Sequence, residues 1–131
     1  MDTATANERR MSSRIVTTKY GTLRGYVVTL PNRSLQPVEV FMGIPYANPP
    51  MGKYRFMPPV SAAHWTGTKM ATQPGPVCPQ KFPDYVNNRT LALTKVTEGR
   101  YNILKRIASK IQNQSEDCLY LNIFTPAINC K

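Results

Sequence analysis

Apolar and polar residues alternate along the first third of the chain, and this period of two predicts β-strands. Residues 15–30 are rich in Val, Thr and Tyr and are interrupted at Gly21, which suits a tight turn, so they predict a half-buried hairpin. Residues 38–44 form a second extended run, which Pro45 ends. The alternation places Val38, Val40, Met42 and Ile44 on one face and Phe41 on the other.

The hydrophobic period becomes helical between residues 91 and 111. Gly99 weakens the first half of this stretch, so we expect a helix only from about Arg100. Its cations favour a solvated face, with an acidic partner or lipid headgroups as alternatives. The apolar residues at helical spacing are Tyr101, Leu104, Ala108 and Ile111, and the cations are Lys95, Lys105, Arg106 and Lys110.

Residues 119–125 are apolar on both sides of an extended chain, which predicts a central strand buried on both faces.

Most of the 12 prolines lie between Pro31 and Pro83, which predicts a rigid irregular connector. Residues 1–14 are polar, so we expect a disordered leader. Too little chain accompanies the central strand to cover it, so we expect an incomplete domain of the α/β class.

Charge and cysteine content restrict the function. The net charge of +10 comes from 17 basic and 7 acidic side chains, but the basic residues form no long run, which favours a solvated surface over nucleic-acid binding. Three cysteines and one histidine at these spacings form no metal-binding pattern, and we expect no cofactor. A disulfide is the alternative, and it requires an oxidising compartment.

Three N-glycosylation acceptor motifs also point to the secretory pathway, at Asn32, Asn88 and Asn113. Against this, residues 1–14 lack the apolar run of a signal peptide, and no stretch is long and apolar enough to span a membrane. Either the chain is cytosolic and the acceptor motifs are unused, or its true beginning is missing. We favour the second interpretation and expect a parent protein that is extracellular or on the cell surface, with no direct membrane insertion by this segment.

Two segments resemble signatures of the type-B carboxylesterase and cholinesterase-like proteins, which have the α/β-hydrolase fold. They are FMGIPYANPPMGKYRFMPP, followed by Trp65, and SEDCLYLNIFTP. The stretch NQSEDCLYLNIF is most similar to the neuroligins, the non-catalytic adhesion members. The resemblance implies that residues 15–131 are the N-terminal part of such a domain, with a strand pair, a Pro-rich connector, one helix and one central strand. It also implies neurexin-type partners, bound by residues outside this chain.

The resemblance further implies two pairings. Cys78 forms a disulfide with Cys118, and Arg55 forms an internal ion pair with Glu116. A guanidinium fork suits a carboxylate held in a fixed loop. Cys130 has no partner in this stretch.

No catalytic residue is predicted in this chain. A Gly-rich oxyanion loop, a G-x-S-x-G elbow and the acid and histidine of a triad are all missing from its sequence. Glu116 and Asp117 are adjacent on an extended chain and point in opposite directions, so they do not form an acid–base pair. His64 lies in no nucleophile motif and is interpreted as a surface residue. The alternative function is part of an active carboxylesterase whose nucleophilic serine lies elsewhere.

Overall fold

The computed structural model describes residues 9–12, 14–32 and 34–127. They form two compact units: a sheet unit, made of the described residues up to Gly75 and from Leu119 onward, and a disulfide loop, Pro76–Cys118. The strands are β1 (Arg9–Met11), β2 (Val16–Thr18), β3 (Gly21–Arg24), β4 (Tyr26–Val28), β5 (Val38–Pro45), β6 (Thr68–Met70) and β7 (Tyr120–Pro126), and the helices are α1 (Arg89–Leu93) and α2 (Glu98–Ala108).

The sheet unit contains two sheets. The larger has the order β1-β4-β5-β7 and is antiparallel throughout. The smaller has the order β2-β3-β6, in which β2 and β3 form a hairpin and β6 runs parallel to β3. The hairpin was predicted over residues 15–30, but it ends at Arg24, because β4 pairs with β1 and β5 in the larger sheet instead. Leu23, Phe41 and Ala71 form a buried cluster, and Val16, Ile44 and Trp65 pack against it.

A β-bulge in β5 makes the predicted strand faces wrong at one end. Regular pairing with β7 stops after Phe41 and resumes at Ile44. The irregularity includes Gly43, whose φ of 67° is strained for any residue with a Cβ, and a Cβ there would lie 2.5 Å from the backbone oxygen of Gln73. Ile44 therefore packs into the same cluster as Phe41, although simple alternation predicted opposite faces.

Residues 1–14 were predicted to be a disordered leader, and the structure differs from this prediction at the C-terminal end of the segment. Residues 1–8 lie outside the described residues, but β1 pairs with β4 and Ser12 is buried. Ser12 Oγ donates a hydrogen bond to one carboxylate oxygen of Glu39, and Arg14 Nη2 lies 2.5 Å from the other. Glu39 of β5 therefore holds Ser12 and Arg14 in place, although composition alone predicted that this segment is disordered.

Strand β7 lies at an edge of its sheet within the part of the chain that the structure describes. It pairs with β5 on one side, and Leu121, Ile123 and Phe124 are 37%, 46% and 62% exposed. Within the described residues β7 thus lacks the cover on both faces that a central strand has, which agrees with the expectation that this chain is too short to supply it. The apolar pattern that predicted a central strand is present, but these residues do not cover it.

The disulfide loop carries two helices where the sequence predicted one. Helix α2 begins at Glu98, because the side chain of Thr97 accepts a hydrogen bond from the backbone N–H of Arg100 and caps the first turn. Helix α1 has only five residues, too few for a periodic pattern to be recognised. Local capping thus decided both helix starts.

Candidate functional site

The base of the disulfide loop is closed by a disulfide and by backbone hydrogen bonds. The Sγ atoms of Cys78 and Cys118 are bonded, and the two Cα atoms are 5.0 Å apart. Next to the disulfide, the N–H of Val77 donates to the carbonyl of Asn113, and the N–H of Ser115 donates to the carbonyl of Val77, each at 3.0 Å. The structure thus contains the disulfide that the family resemblance implied.

The three predicted glycan acceptors are all exposed. Asn88 caps α1 by accepting a hydrogen bond from the N–H of Leu91 at its amide oxygen, 3.1 Å away. Asn32 uses the same atom to accept hydrogen bonds from the N–H and Oγ of Ser34, the hydroxyl residue of its own motif. These contacts use the side-chain oxygen, so they leave the amide nitrogen, to which a glycan is attached, available for modification.

The helices of the disulfide loop pack around a small apolar centre. Tyr101 and Leu104 of α2 are buried, as are Ala92 of α1 and Val86 in the turn before α1. An ion pair between Arg89 and Glu98 connects the two helices across the surface. Because both partners are exposed, this pair contributes at most about 1 kcal/mol. The loop is therefore held by its disulfide and its small core more than by surface charge.

Basic residues outnumber acidic ones in the disulfide loop, seven to four. Helix α2 and the turn after it contain four of the cations, while Glu98 is the single acidic residue between positions 98 and 110. Lys105 lies over the ring of Tyr101, with Nζ 5.9 Å from the ring centroid. The four cations are exposed, namely Arg100, Lys105, Arg106 and Lys110.

The predicted ion pair between Arg55 and Glu116 stays a prediction. Arg55 belongs to the sheet unit, where its guanidinium carbon lies 5.2 Å from the centroid of the Phe56 ring. Glu116 and Asp117 are half-buried residues at the end of the disulfide loop, and the N–H of Asp117 donates to Ser115 Oγ at 3.1 Å.

His64 is exposed, and its ring contacts an aromatic side chain. Its ring centroid lies 5.5 Å from that of Tyr20, with the planes tilted by 57°. Side-chain hydrogen bonds, first with Lys19 and then with Ser61, lower the pKa of the Tyr20 hydroxyl. The arrangement places His64 in a surface aromatic contact, in keeping with its interpretation as a surface residue.

An apolar groove of about 430 Å³ opens in the sheet unit, and sequence reasoning missed it. Strands β2, β3, β5 and β7 contribute its walls together with Trp65. The charged residue that lines it is Arg14, whose guanidinium binds Glu39. The walls come from segments far apart in sequence, so only the fold brings them together. Their chemistry suits apolar packing.

The described residues contain neither a cluster that could hold a metal ion nor a helix that could span a membrane. Within residues 9–12, 14–32 and 34–127, no three His, Cys, Asp or Glu side chains come together in a way that could hold a metal ion. No helix in these ranges has the length and apolar character that crossing a bilayer requires.

Comparison with known proteins gives a consistent result. Residues 12–130 match the model of the carboxylesterase family. Human neuroligin-2 is 42% identical over 112 residues, rat neuroligin-3 is 40% identical over 116, and Caenorhabditis elegans neuroligin-1 is 40% identical over 120. The alignments cover 86%, 88% and 90% of this chain, but only 13%, 13% and 15% of the respective relatives.

Proposed function

Because this chain belongs to the carboxylesterase family, and because neuroligins match most of its length, we propose that it is part of a neuroligin-like, non-catalytic cell-adhesion protein. Family membership implies the α/β-hydrolase fold. The observation that carries the adhesion function is the 42% identity to human neuroligin-2 over 86% of the chain. The whole protein would bind neurexin-type partners through residues outside this stretch.

The geometry of the disulfide loop supports an extracellular or cell-surface location. A disulfide persists in an oxidising compartment, and glycans are added at exposed acceptors in the secretory pathway. Both features occur together here, with Cys78 bonded to Cys118 and the acceptors at Asn32, Asn88 and Asn113 exposed.

Replacing each acceptor asparagine by glutamine is expected to lower the apparent mass of the secreted protein stepwise. The change removes the acceptor amide while keeping a polar side chain. Electrophoresis before and after treatment with an N-glycan-cleaving enzyme measures the result. Asn102→Gln is the matched control, because Asn102 is exposed but lies in no acceptor motif. If the untreated triple variant has the same mass as the untreated wild type, the three positions carry no glycan.

The adhesion function predicts that cells displaying the full-length protein will aggregate with cells displaying a neurexin-type partner. Aggregation is counted by two-colour microscopy, with cells displaying an unrelated glycoprotein as the control. Loss of mixed aggregates despite normal surface display would refute the proposed function.

The second candidate function, an active serine carboxylesterase, is supported by the family match. Hydrolysis of a simple ester by the full-length protein, blocked by a serine-directed organophosphate, would favour it. Reading the gene beyond this stretch is the simplest discriminating observation. A serine in a G-x-S-x-G elbow, followed by an acid and a histidine, favours the enzyme, whereas another residue at the serine position favours adhesion.

A further inference from the structure

Helix α2 presents apolar side chains to solvent beside its cations. Its buried side carries Tyr101 and Leu104. At 100° per residue, Ile103 and Ile107 follow Leu104 around the helix onto an exposed side, which we call the outer face of α2. Ile103 and Ile107 are 42% and 38% exposed there. The outer face consists of Gly99, Ile103, Arg106 and Ile107, together with Lys110 in the turn after the helix.

Within the part of the chain that the structure describes, nothing packs closely against the Cα of Gly99. A Cβ built at this position would meet nothing within 4 Å. Glycine favours a helix less than alanine does, and no described side chain fills the space that its missing Cβ leaves open. It also leaves a notch on the outer face in line with Ile103 and Arg106, where another backbone can approach closely.

The positive charge of the outer face favours binding of an acidic partner. Arg106 and Lys110 lie on one side of the two isoleucines and Arg100 lies on the other, whereas Lys105 lies over the ring of Tyr101. Glu98, the acidic residue of the helix, is already paired with Arg89. A second copy of this chain would present the same cations, so like charges would face each other across the contact and weaken it.

Membrane lipid fits this surface less well than protein does. An interfacial helix buries a broad apolar side in the bilayer. In α2, the larger apolar residues Tyr101 and Leu104 are already buried within the disulfide loop. What remains is a narrow apolar strip bordered by cations, which matches an amphipathic segment with carboxylates beside its apolar side chains.

We propose that the outer face of α2 is a docking surface for an acidic, amphipathic segment of a partner protein. The partner places apolar side chains against Ile103 and Ile107, its backbone over Gly99, and its carboxylates near Arg106 and Lys110. This contact is independent of the adhesion function proposed above, because adhesion is assigned to residues outside this stretch, whereas the docking surface lies on α2.

The test measures binding of the secreted protein to a synthetic helical peptide made of Glu and Leu. The comparison probes are the same peptide with Lys in place of Glu, polyglutamate, and phosphatidylserine–phosphatidylcholine vesicles. We expect the Glu–Leu peptide to bind, with an affinity that falls as salt rises, and the other three probes to bind at least about tenfold more weakly. Equal or tighter binding of any of the three overturns the proposal, and vesicle binding favours a lipid surface.

Variants assign the binding to the outer face. Ile103→Ala with Ile107→Ala should weaken peptide binding about tenfold, and Arg106→Gln with Lys110→Gln should weaken it several-fold and reduce its salt dependence. Gly99→Ala should also weaken binding while keeping or raising helix stability.

The matched control is Lys53→Gln with Met57→Ala, which removes an exposed cation and an exposed apolar side chain from the sheet unit and should leave binding unchanged. Circular dichroism checks that each variant is folded. If the isoleucine pair fails to fold, the charge pair and Gly99→Ala decide the outcome. Wild-type affinity in the folded variants, or equal loss in the control, overturns the proposal.

Discussion

Replacing both Cys78 and Cys118 by alanine is expected to lower the free energy of unfolding by about 4 kcal/mol. The disulfide joins residues separated by 40 positions, so losing it releases a long loop in the unfolded chain. A loss of this size is a large fraction of the roughly 5–15 kcal/mol by which native proteins are stable. We therefore expect poor secretion and a much lower midpoint in denaturant.

Reduction provides the internal control for this prediction. Wild-type protein in dithiothreitol should unfold at the same midpoint as the double variant, whose own midpoint should not respond to the reductant. A single Cys78→Ala variant should be worse in cells than the double variant, because it leaves Cys118 as a reactive thiol. Equal unfolding free energies of oxidised wild type and double variant would contradict a stabilising role for the disulfide.

Arg14→Met is expected to cost about 3 kcal/mol, because it leaves the carboxylate of Glu39 buried without its cation. We expect the low end of the range for breaking a buried pair, since the Arg14 side chain is 37% exposed whereas that of Glu39 is 3% exposed. Denaturant unfolding of the secreted protein measures the loss.

A double substitution tests the physical reason. Arg14→Met combined with Glu39→Leu should recover most of the stability, because an apolar pair replaces both charges at once. Arg10→Met is the matched control, since Arg10 is exposed in β1 and its loss should change stability by no more than about 0.5 kcal/mol. If the double variant is as unstable as Arg14→Met alone, the burial of an unpaired carboxylate is not the cause.

The ion pair between Arg14 and Glu39 could not be predicted from the sequence pattern. The hairpin, the strand before Pro45 and the strand that begins near Leu119 were predicted from periodicity, because each carries its own apolar pattern. Strand β1 was not predicted, because its polar residues give no such signal and Arg14 is held in place by Glu39, 25 positions away. Contacts between segments distant in sequence are invisible to a local pattern.

Only part of the candidate site could be predicted from the sequence. The glycan acceptors were found as motifs, and the disulfide was implied by the family resemblance. The outer face of α2 was only partly visible: its cations and helical period were found, but the exposure of Ile103 and Ile107 depends on α1 and the turn before it, which bury the other side of the helix. The short helix α1 was too brief to be recognised.

The disulfide also affects the order in which the strands assemble. Strands β5 and β7 pair across roughly 75 intervening residues, and the disulfide loop lies within that interval. Once Cys78 is bonded to Cys118, the chain path between the two strands is about half as long, which reduces the entropic cost of closure by about 0.6 kcal/mol. During synthesis, oxidation of these cysteines before β7 docks would therefore speed the pairing and shorten the time for which the apolar sides of β7 are available to chaperones or to other chains.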